Sequence, residues 1–339
     1  GAAASRQEVA QIIHMSGPEG EQLRAWGETA AAGIVAALLY LSGGLFLFFL
    51  VPLSVIMIRR GQEWYVVAAG GTAVIIAASR AIMALDAGVG LSGLYLLGEL
   101  SMPVGILLGF DLLYRLTARL PHWSYRYAVS VGAASLGALP VMIVLGGSSG
   151  FDEALQQQIA QVLRNLGAGD PSVAATVIVE EAMRMVFRSF ALFFALILGI
   201  GALLGRHLVD RFSSQEPYTP PVEQIGVPDE LVWPLLGGWA LVAVDALGGI
   251  GFLGFVGWNV ALVFTLLYSV QGVGVASALL GRAGMSSRGR RLAGLALVAS
   301  LFIPGLNLLV ALGVPGLGVS ELWVDYKREK ESYMKVILN

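Results

Sequence analysis

The chain has 339 residues, of which 56% are hydrophobic and 13% charged, and its mean hydropathy is +0.75. Soluble domains carry about 25% charged residues, so this composition excludes an ordinary water-covered surface. A net charge of −2 gives no electrostatic basis for nucleic-acid binding. The lack of cysteine excludes disulfides and thiolate metal sites, and three scattered histidines predict no metal centre. We therefore predict an all-α, polytopic integral membrane helix bundle without a cofactor.

The N-terminal part begins with a polar leader over residues 1–27, in which Gly1–Ser5 resembles a cloning remnant or a processed end. The apolar run from Thr29 to Ile58 is long enough for one tilted helix. However, the pair Gly43-Gly44 lies near its middle, and Pro52 follows. Because both features interrupt helices, we predict two short helices, arranged as a hairpin or a broken pair.

The predicted N-terminal membrane bundle covers residues 28–205. Three further crossings within it are predicted at Trp64–Leu85, Leu91–Leu116 and Trp123–Leu145. Apolar side chains then recur at helical spacing in residues 151–166, with polar ones opposite, as is typical of an amphipathic helix. The last predicted helix, from Pro171 to Gly205, is near 50 Å long at about 1.5 Å per residue. Since a hydrocarbon core is about 30 Å thick, its first half should project from the membrane or line a cavity.

The C-terminal part follows a proline-containing cytoplasmic linker at residues 206–230. Membrane segments are predicted over residues 231–324, and the first stretch, with Asp245 as its one charged side chain, is long enough for two crossings of roughly 20 residues each. Leu292–Val319 contains two Pro-Gly pairs, which favour a short re-entrant hairpin over one straight crossing. Residues 325–339 form a basic tail, which we place in the cytoplasm.

The distribution of lysine and arginine predicts the topology, because cytoplasmic loops of membrane proteins are enriched in both. One threading places every basic loop in the cytoplasm and the amphipathic helix at 151–166 outside it. It predicts eight to ten segments in the bacterial cytoplasmic membrane, some of them short or re-entrant, with lipid around them. The basic loops are Arg59-Arg60, 115–126, 206–211 and 282–291.

The first candidate site consists of polar side chains in the second of the two crossings predicted after residue 231. They are Asn259, Tyr268 and Gln271, with Asp245 on the first of these crossings. Polar groups in hydrocarbon need partners, so they face a protein interior or a cavity. One interpretation is a set of hydrogen-bonding ligands for a solute. The alternative, which we favour, is interhelical hydrogen bonding at about 1 kcal/mol or less per bond.

A second candidate is the charge pair Arg80 and Glu99. If their segments form a hairpin that turns at residues 86–90, both side chains lie at similar depth. Such a pair is either structural or part of a proton or substrate path. Asp111 lies four residues before Arg115, and a local ion pair accounts for it.

Charged residues near the start of the predicted helix at 171–205 are Glu180, Glu181, Arg184 and Arg188. A solvated helix face with a pair between Glu180 and Arg184 explains them. The sequence contains no phosphate-binding glycine loop, nucleophile elbow or HExxH motif. We therefore expect no enzyme and no catalytic residue.

Three stretches carry a family resemblance: VPLSVIMIRRG at residues 51–61, W-N-x8-Y-x2-QG from Trp258 to Gly272, and LWVDYKR from Leu322 to Arg328. Together they resemble the YybS-like family of bacterial membrane proteins over roughly residues 28–328. This family is distantly similar to the substrate-binding S components of energy-coupling-factor vitamin transporters, although S components have fewer helices than are predicted here.

The resemblance to S components implies solute capture and a transmembrane coupling subunit as partner. It also implies a docking face on the first helix, where Ala32 and Ala36 have the small-xxx-small spacing that allows close helix contacts. Two functions therefore compete, a solute-binding or transport subunit and a non-transporting scaffold or assembly protein. Separately, Met334–Asn339 resembles the start of bacterial large-subunit ribosomal protein nine, which predicts a fusion or a reading frame that continues into the next gene.

Overall fold

The computed structural model describes residues 18–86, 93–142, 149–165, 171–212, 220, 222–324 and 326. All regular elements in these ranges are helical, which confirms the all-α prediction. Most of the polar leader and nearly all of the basic tail, with Met334–Asn339, lie outside the described residues. In chain order, the helices are α1 (Pro18–Leu41), α2 (Leu50–Arg60), α3 (Gln62–Asp86), α4 (Gly93–Arg115), α5 (Trp123–Gly137), α6 (Ser149–Asn165), α7 (Pro171–Arg188), α8 (Phe190–Phe212), α9 (Val232–Gly248), α10 (Gly251–Arg282), α11 (Ser287–Ser300) and α12 (Leu306–Ser320).

Long apolar helices account for much of the described chain. By length and composition, five are able to cross a membrane, namely Gln62–Asp86, Gly98–Ala118, Phe190–Asp210, Asp229–Gly248 and Gly251–Arg282. The apolar helix α12 is shorter. The protein is therefore a multi-pass membrane protein, and the total of eight to ten membrane segments stays a prediction.

The chain divides into two compact units. The N-terminal unit comprises residues 1–115, 136–144 and 196–219, and the C-terminal unit comprises residues 116–135, 145–195 and 220–339. Helix α8 begins in the C-terminal unit and continues in the N-terminal unit. Each unit has its own set of close helix contacts.

In the N-terminal unit, the break between α1 and α2 confirms the prediction of two helices in the first apolar run. Gly43 has φ of +69°, a left-handed conformation that glycine adopts readily. Helix α3 packs against α1, α2 and α4. A Cβ atom on Gly33 would lie 2.9 Å from the Ala68 carbonyl oxygen, and the Thr72 hydroxyl donates to the Gly33 carbonyl at 3.1 Å. Small residues thus bring α1 directly onto α3.

In the C-terminal unit, α9 and α10 form a helical hairpin. Gly249 ends α9 in the left-handed conformation, with φ of +64°. Helix α12 then packs on α10. A Cβ atom on Gly272 would lie 2.0 Å from the Val314 carbonyl oxygen, and one on Gly318 equally close to the Tyr268 carbonyl oxygen. Glycine at these two positions is required for the helix backbones to approach this closely.

The predicted single helix from Pro171 to Gly205 is wrong, because α7 ends at Arg188 and α8 begins at Phe190. Asn259 of α10 forms hydrogen bonds to backbone groups on both sides of this break. Helix α6 agrees with the amphipathic helix predicted at 151–166, and it packs against α7. Its position outside the cytoplasm stays a prediction.

The described parts of the predicted linker at residues 206–230 are folded. Its first residues belong to α8, which extends to Phe212. Residues 222–231, called here the connecting segment, contain two short 3-10 turns and bury the side chains of Ile225 and Val227. The connecting segment contacts α10 through its first turn. It is therefore a packed part of the C-terminal unit.

At the end of the chain, Leu292–Val319 is divided between two short helices, α11 and α12, and its re-entrant path in a membrane stays a prediction. Arg290 of α11 lies beside Gly281 at the end of α10, and α12 then packs on α10. After turns at residues 321–324, the Tyr326 carbonyl accepts a hydrogen bond from the Arg282 guanidinium. The chain has thus returned to the end of α10 from which it left.

Candidate functional site

Asn259 of α10 bridges the break between α7 and α8. Its side-chain oxygen accepts a hydrogen bond from the Ala191 N–H at 2.7 Å, and its amide nitrogen donates to the Phe187 carbonyl at 2.8 Å. In a continuous helix, the Ala191 N–H would itself bond to the Phe187 carbonyl, four residues earlier. The Asn259 amide therefore stands in for a missing helical bond. It also donates to the Phe255 carbonyl on its own helix.

Gln271, further along α10, forms hydrogen bonds to two other parts of the chain, the connecting segment and α12. Its side-chain oxygen accepts from the Val227 N–H of the connecting segment at 2.5 Å, and its amide nitrogen donates to the Gly318 carbonyl of α12 at 2.9 Å. Gln271 is 2% exposed and Asn259 8% exposed, which confirms that both amides point into the protein. Both are engaged by backbone groups of the chain itself.

Tyr268 and Asp245 lie in the same unit and differ in their surroundings. Tyr268 is fully buried, and its hydroxyl has no hydrogen-bond partner among the described residues. The carboxylate of Asp245 lies against Gly254 across the α9–α10 hairpin. Tyr268 therefore differs from Asn259 and Gln271, whose amides are bonded to backbone groups.

The second candidate, Arg80 and Glu99, belongs to the N-terminal unit. The Arg80 Nε atom lies 3.3 Å from a carboxylate oxygen of Glu99, which confirms the predicted pairing of α3 with α4. Each side chain keeps about a third of its surface exposed, 34% and 32%. The predicted local pair of Asp111 and Arg115 also forms, at 2.5 Å, and Gln62 donates to the same carboxylate.

Ala32 and Ala36, predicted to dock a partner helix, are buried within the chain at 9% and 0% exposure. The helix face that carries them therefore has its neighbours in this protein already. A partner subunit would need another surface in this conformation.

A groove beside the helix break brings Trp258 and Leu262 of α10 together with the charged residues of α7. It has a volume of about 420 Å³. The guanidinium of Arg188 lies over the Trp258 ring, 5.5 Å from its centroid. Glu181 pairs with Arg184 at 2.5 Å, rather than Glu180 as predicted. The lining residues are Glu181, Ala182, Arg184, Met185, Arg188, Ser189, Trp258 and Leu262.

The groove lies where α7 packs against α10, and side chains of both helices and of Ser189 at the break line it. Ser189, the residue between α7 and α8, donates its hydroxyl to the Met185 carbonyl at 2.8 Å. Trp258 lies next to Asn259 in the sequence. The amide that holds the broken helix and the aromatic ring that lines the groove are therefore positioned by the same turn of α10.

A comparison with protein families identifies the wider group. The family described as Predicted membrane protein (DUF2232) matches residues 29–315. The chain belongs to this family. No curated protein and no solved structure matches the chain. Membership in DUF2232 agrees with the long apolar helices and extends over both units.

For this member of DUF2232, the structure brings together only part of the predicted site. Tyr268 and Gln271 share the region around the connecting segment, Asn259 serves the helix break, and Arg80 with Glu99 belongs to the other unit. No cluster of three metal-ligating side chains occurs among the described residues. Trp258 was missed as a groove residue, because nothing in its spacing relates it to Arg188.

Proposed function

We propose that this protein is a small-solute-binding or transport subunit of the bacterial cytoplasmic membrane, and that its ligand site is the groove between α7 and α10. The observation that carries the proposal is the interrupted helix beside a groove with converging charges. Transporters commonly place their substrates at discontinuous helices, where helix ends and free backbone groups are available. Arg188, Ser189 and Trp258 line the groove at such an interruption.

The resemblance to the YybS-like family, which is distantly similar to the S components of energy-coupling-factor transporters, supports the same class of function. It also suggests a membrane coupling subunit as partner. Docking through Ala32 and Ala36 is not part of the proposal, since both are buried. The proposal includes no catalytic role.

A scaffold or assembly role is the second candidate, and a specific observation favours it. Asn259 and Gln271 are engaged by backbone groups of the chain, as in a core whose polar groups serve packing. In that case, the exposed surfaces of the protein would carry its function through partner proteins.

The test is retention of a small molecule by the purified full chain. The protein would be incubated with a bacterial metabolite extract, washed and extracted, and the released compounds identified by mass spectrometry. We expect wild type to retain a compound that Trp258→Leu loses. Trp233→Leu is the matched control, because Trp233 is 71% exposed and lies outside the groove.

Two outcomes contradict the solute-binding proposal. Retention of the same compound by wild type and Trp258→Leu would move the ligand away from the groove. An extract with no specific compound, together with a membrane protein captured by cross-linking in cells, would favour the scaffold.

A further inference from the structure

In the groove between α7 and α10, the described residues leave the charge of Arg188 without a carboxylate partner. Glu181 is bonded to Arg184. Among the residues that the structure describes, no carboxylate lies within ion-pair distance of Arg188. Its guanidinium instead lies over the ring of Trp258, where cation–π attraction holds it without cancelling its charge. The groove is therefore electrostatically suited to an anion.

The remaining walls of the groove are largely apolar. Leu262 lies one turn along α10 from Trp258, and Ala182 and Met185 line the opposite side on α7. A small inorganic anion would contact only the charged end and leave these walls uncovered. A ligand with an anionic group and an adjoining apolar part would contact both.

The position of Trp258 along α10 places the groove at a membrane interface. Helix α10 has 32 residues and is ~48 Å long, which exceeds a hydrocarbon core of ~30 Å. Arg282 ends it on the side predicted to be cytoplasmic. Trp258 lies ~36 Å from Arg282 along the axis, at the level of the opposite headgroups. Tryptophan is enriched at this depth.

Trp258 also packs against a second tryptophan. Its ring packs edge-on against Trp239 of α9, with centroids 5.6 Å apart. Trp239 in turn donates its indole N–H to the Thr265 hydroxyl at 3.2 Å. The aromatic floor of the groove is therefore built into the α9–α10 hairpin before any ligand arrives.

We infer that the groove binds the phosphate group of an anionic phospholipid from the outer leaflet. Arg188 contacts the phosphate, and Trp258 and Leu262 contact the glycerol region and the first methylene groups. The inference rests on the proposed function, because it names the ligand class of the same groove. A basic pocket between membrane helices is a known kind of site for anionic headgroups.

Native mass spectrometry of the full chain in neutral detergent tests the inference, with phosphatidylglycerol and phosphatidylcholine titrated separately. We expect wild type to bind phosphatidylglycerol more tightly. Arg188→Gln should weaken that binding about fivefold, the value expected for one interfacial cation, and leave phosphatidylcholine unchanged. Arg188→Lys retains the charge, should keep most of the preference, and serves if Arg188→Gln fails to fold. Arg115→Gln is the control, since Arg115 is paired with Asp111 and lies outside the groove.

Three results would overturn the lipid inference. One is equal binding of both lipids by wild type, and another is an unchanged preference in Arg188→Gln. The third is displacement of phosphatidylglycerol by inorganic phosphate, which would identify a water-soluble anion as the ligand. In each case, the proposed function would still be supported if the retention experiment finds a compound that wild type binds and Trp258→Leu does not. Conversely, a phosphatidylglycerol preference that depends on Arg188, with no such compound, would retain the lipid site and remove the transport role.

Discussion

Two charged pairs of the N-terminal unit, Arg80–Glu99 and Glu28–Arg60, join side chains that keep 22–36% of their surface exposed. In the C-terminal unit, two buried amides, Asn259 and Gln271, instead bond to backbone groups of separate segments. The difference follows from the groups within reach, because the two amides meet backbone groups at the α7–α8 break, in the connecting segment and near the end of α12. Where a helix is interrupted inside a membrane protein, its free N–H and C=O groups need partners, and a neighbouring side chain supplies them.

Replacement of the amide at the helix break should have the largest effect. Asn259→Leu leaves the Phe187 carbonyl and the Ala191 N–H without the partner they now share. We expect the free energy of unfolding to fall by about 2–4 kcal/mol, since each buried unsatisfied group costs about 1–3 kcal/mol. Equilibrium unfolding in mixed micelles measures the loss.

The matched control for this change lies on the same helix. Among the described residues, the Ser269 hydroxyl bonds only to the carbonyl of Thr265, one turn earlier. Ser269→Ala should therefore stay within about 0.5 kcal/mol of wild type. Similar losses for Asn259→Leu and Ser269→Ala would mean that the amide has no special role at the break.

Gln271→Leu should have the next largest effect. It releases the Val227 N–H of the connecting segment and the Gly318 carbonyl of α12, and we expect a loss of about 1–2 kcal/mol, because water can reach part of the connecting segment. Thermal unfolding and retention of the small molecule would be measured together. Lost retention with unchanged stability would instead assign Gln271 to a ligand.

Loss of the ion pair Arg80–Glu99 should have a smaller effect on stability, and the effects of changing its two members should be coupled. Glu99→Gln should lower stability by about 1 kcal/mol, because both side chains are a third exposed and solvent weakens their attraction. The double change to leucine should cost less than the sum of the single changes, since it leaves no unpaired charge. Additive losses in this double-mutant cycle would show that the two charges do not interact.

The smallest effect concerns Glu28 and Arg60, which bond at 3.1 Å. This hydrogen bond, with the charge of Arg60, lowers the pKa of Glu28. The stabilisation is therefore present above the unfolded-state pKa, about 4.3, and is lost as the pH falls through the lower folded-state pKa. Glu28→Gln should cost about 0.5 kcal/mol at pH 7 and less in acid. A constant difference between pH 7 and pH 3 would exclude the ion pair as the cause.

The sequence was sufficient to predict features that depend on composition and spacing. The apolar runs predict the long helices, Gly43-Gly44 predicts the break after α1, and Arg80 with Glu99 predicts a pair across one hairpin. Each depends on residues close together in the chain or on a regular period. The burial of Asn259 and Gln271 followed from the cost of amides in hydrocarbon.

Features that depend on distant residues were missed. The interruption at Ser189 contains neither proline nor glycine, and it depends on Asn259, a residue 68 positions away. The same holds for Arg188 and Trp258, which meet only because α7 packs on α10. The packing of the connecting segment was also missed, since its partners lie on α5 and α10.

The connecting segment has a consequence for synthesis of the chain. The Ser124 hydroxyl at the start of α5 donates to the Gly226 carbonyl, and the Tyr125 hydroxyl to the Glu230 carboxylate, across sequence separations of 102 and 105 residues. At about 5–20 residues per second, the ribosome needs roughly 5–20 s to produce these partners after α5 has emerged. During that interval, the Ser124 and Tyr125 hydroxyls lack these two partners. The final seating of α5 is therefore a late event, after the connecting segment has left the ribosome.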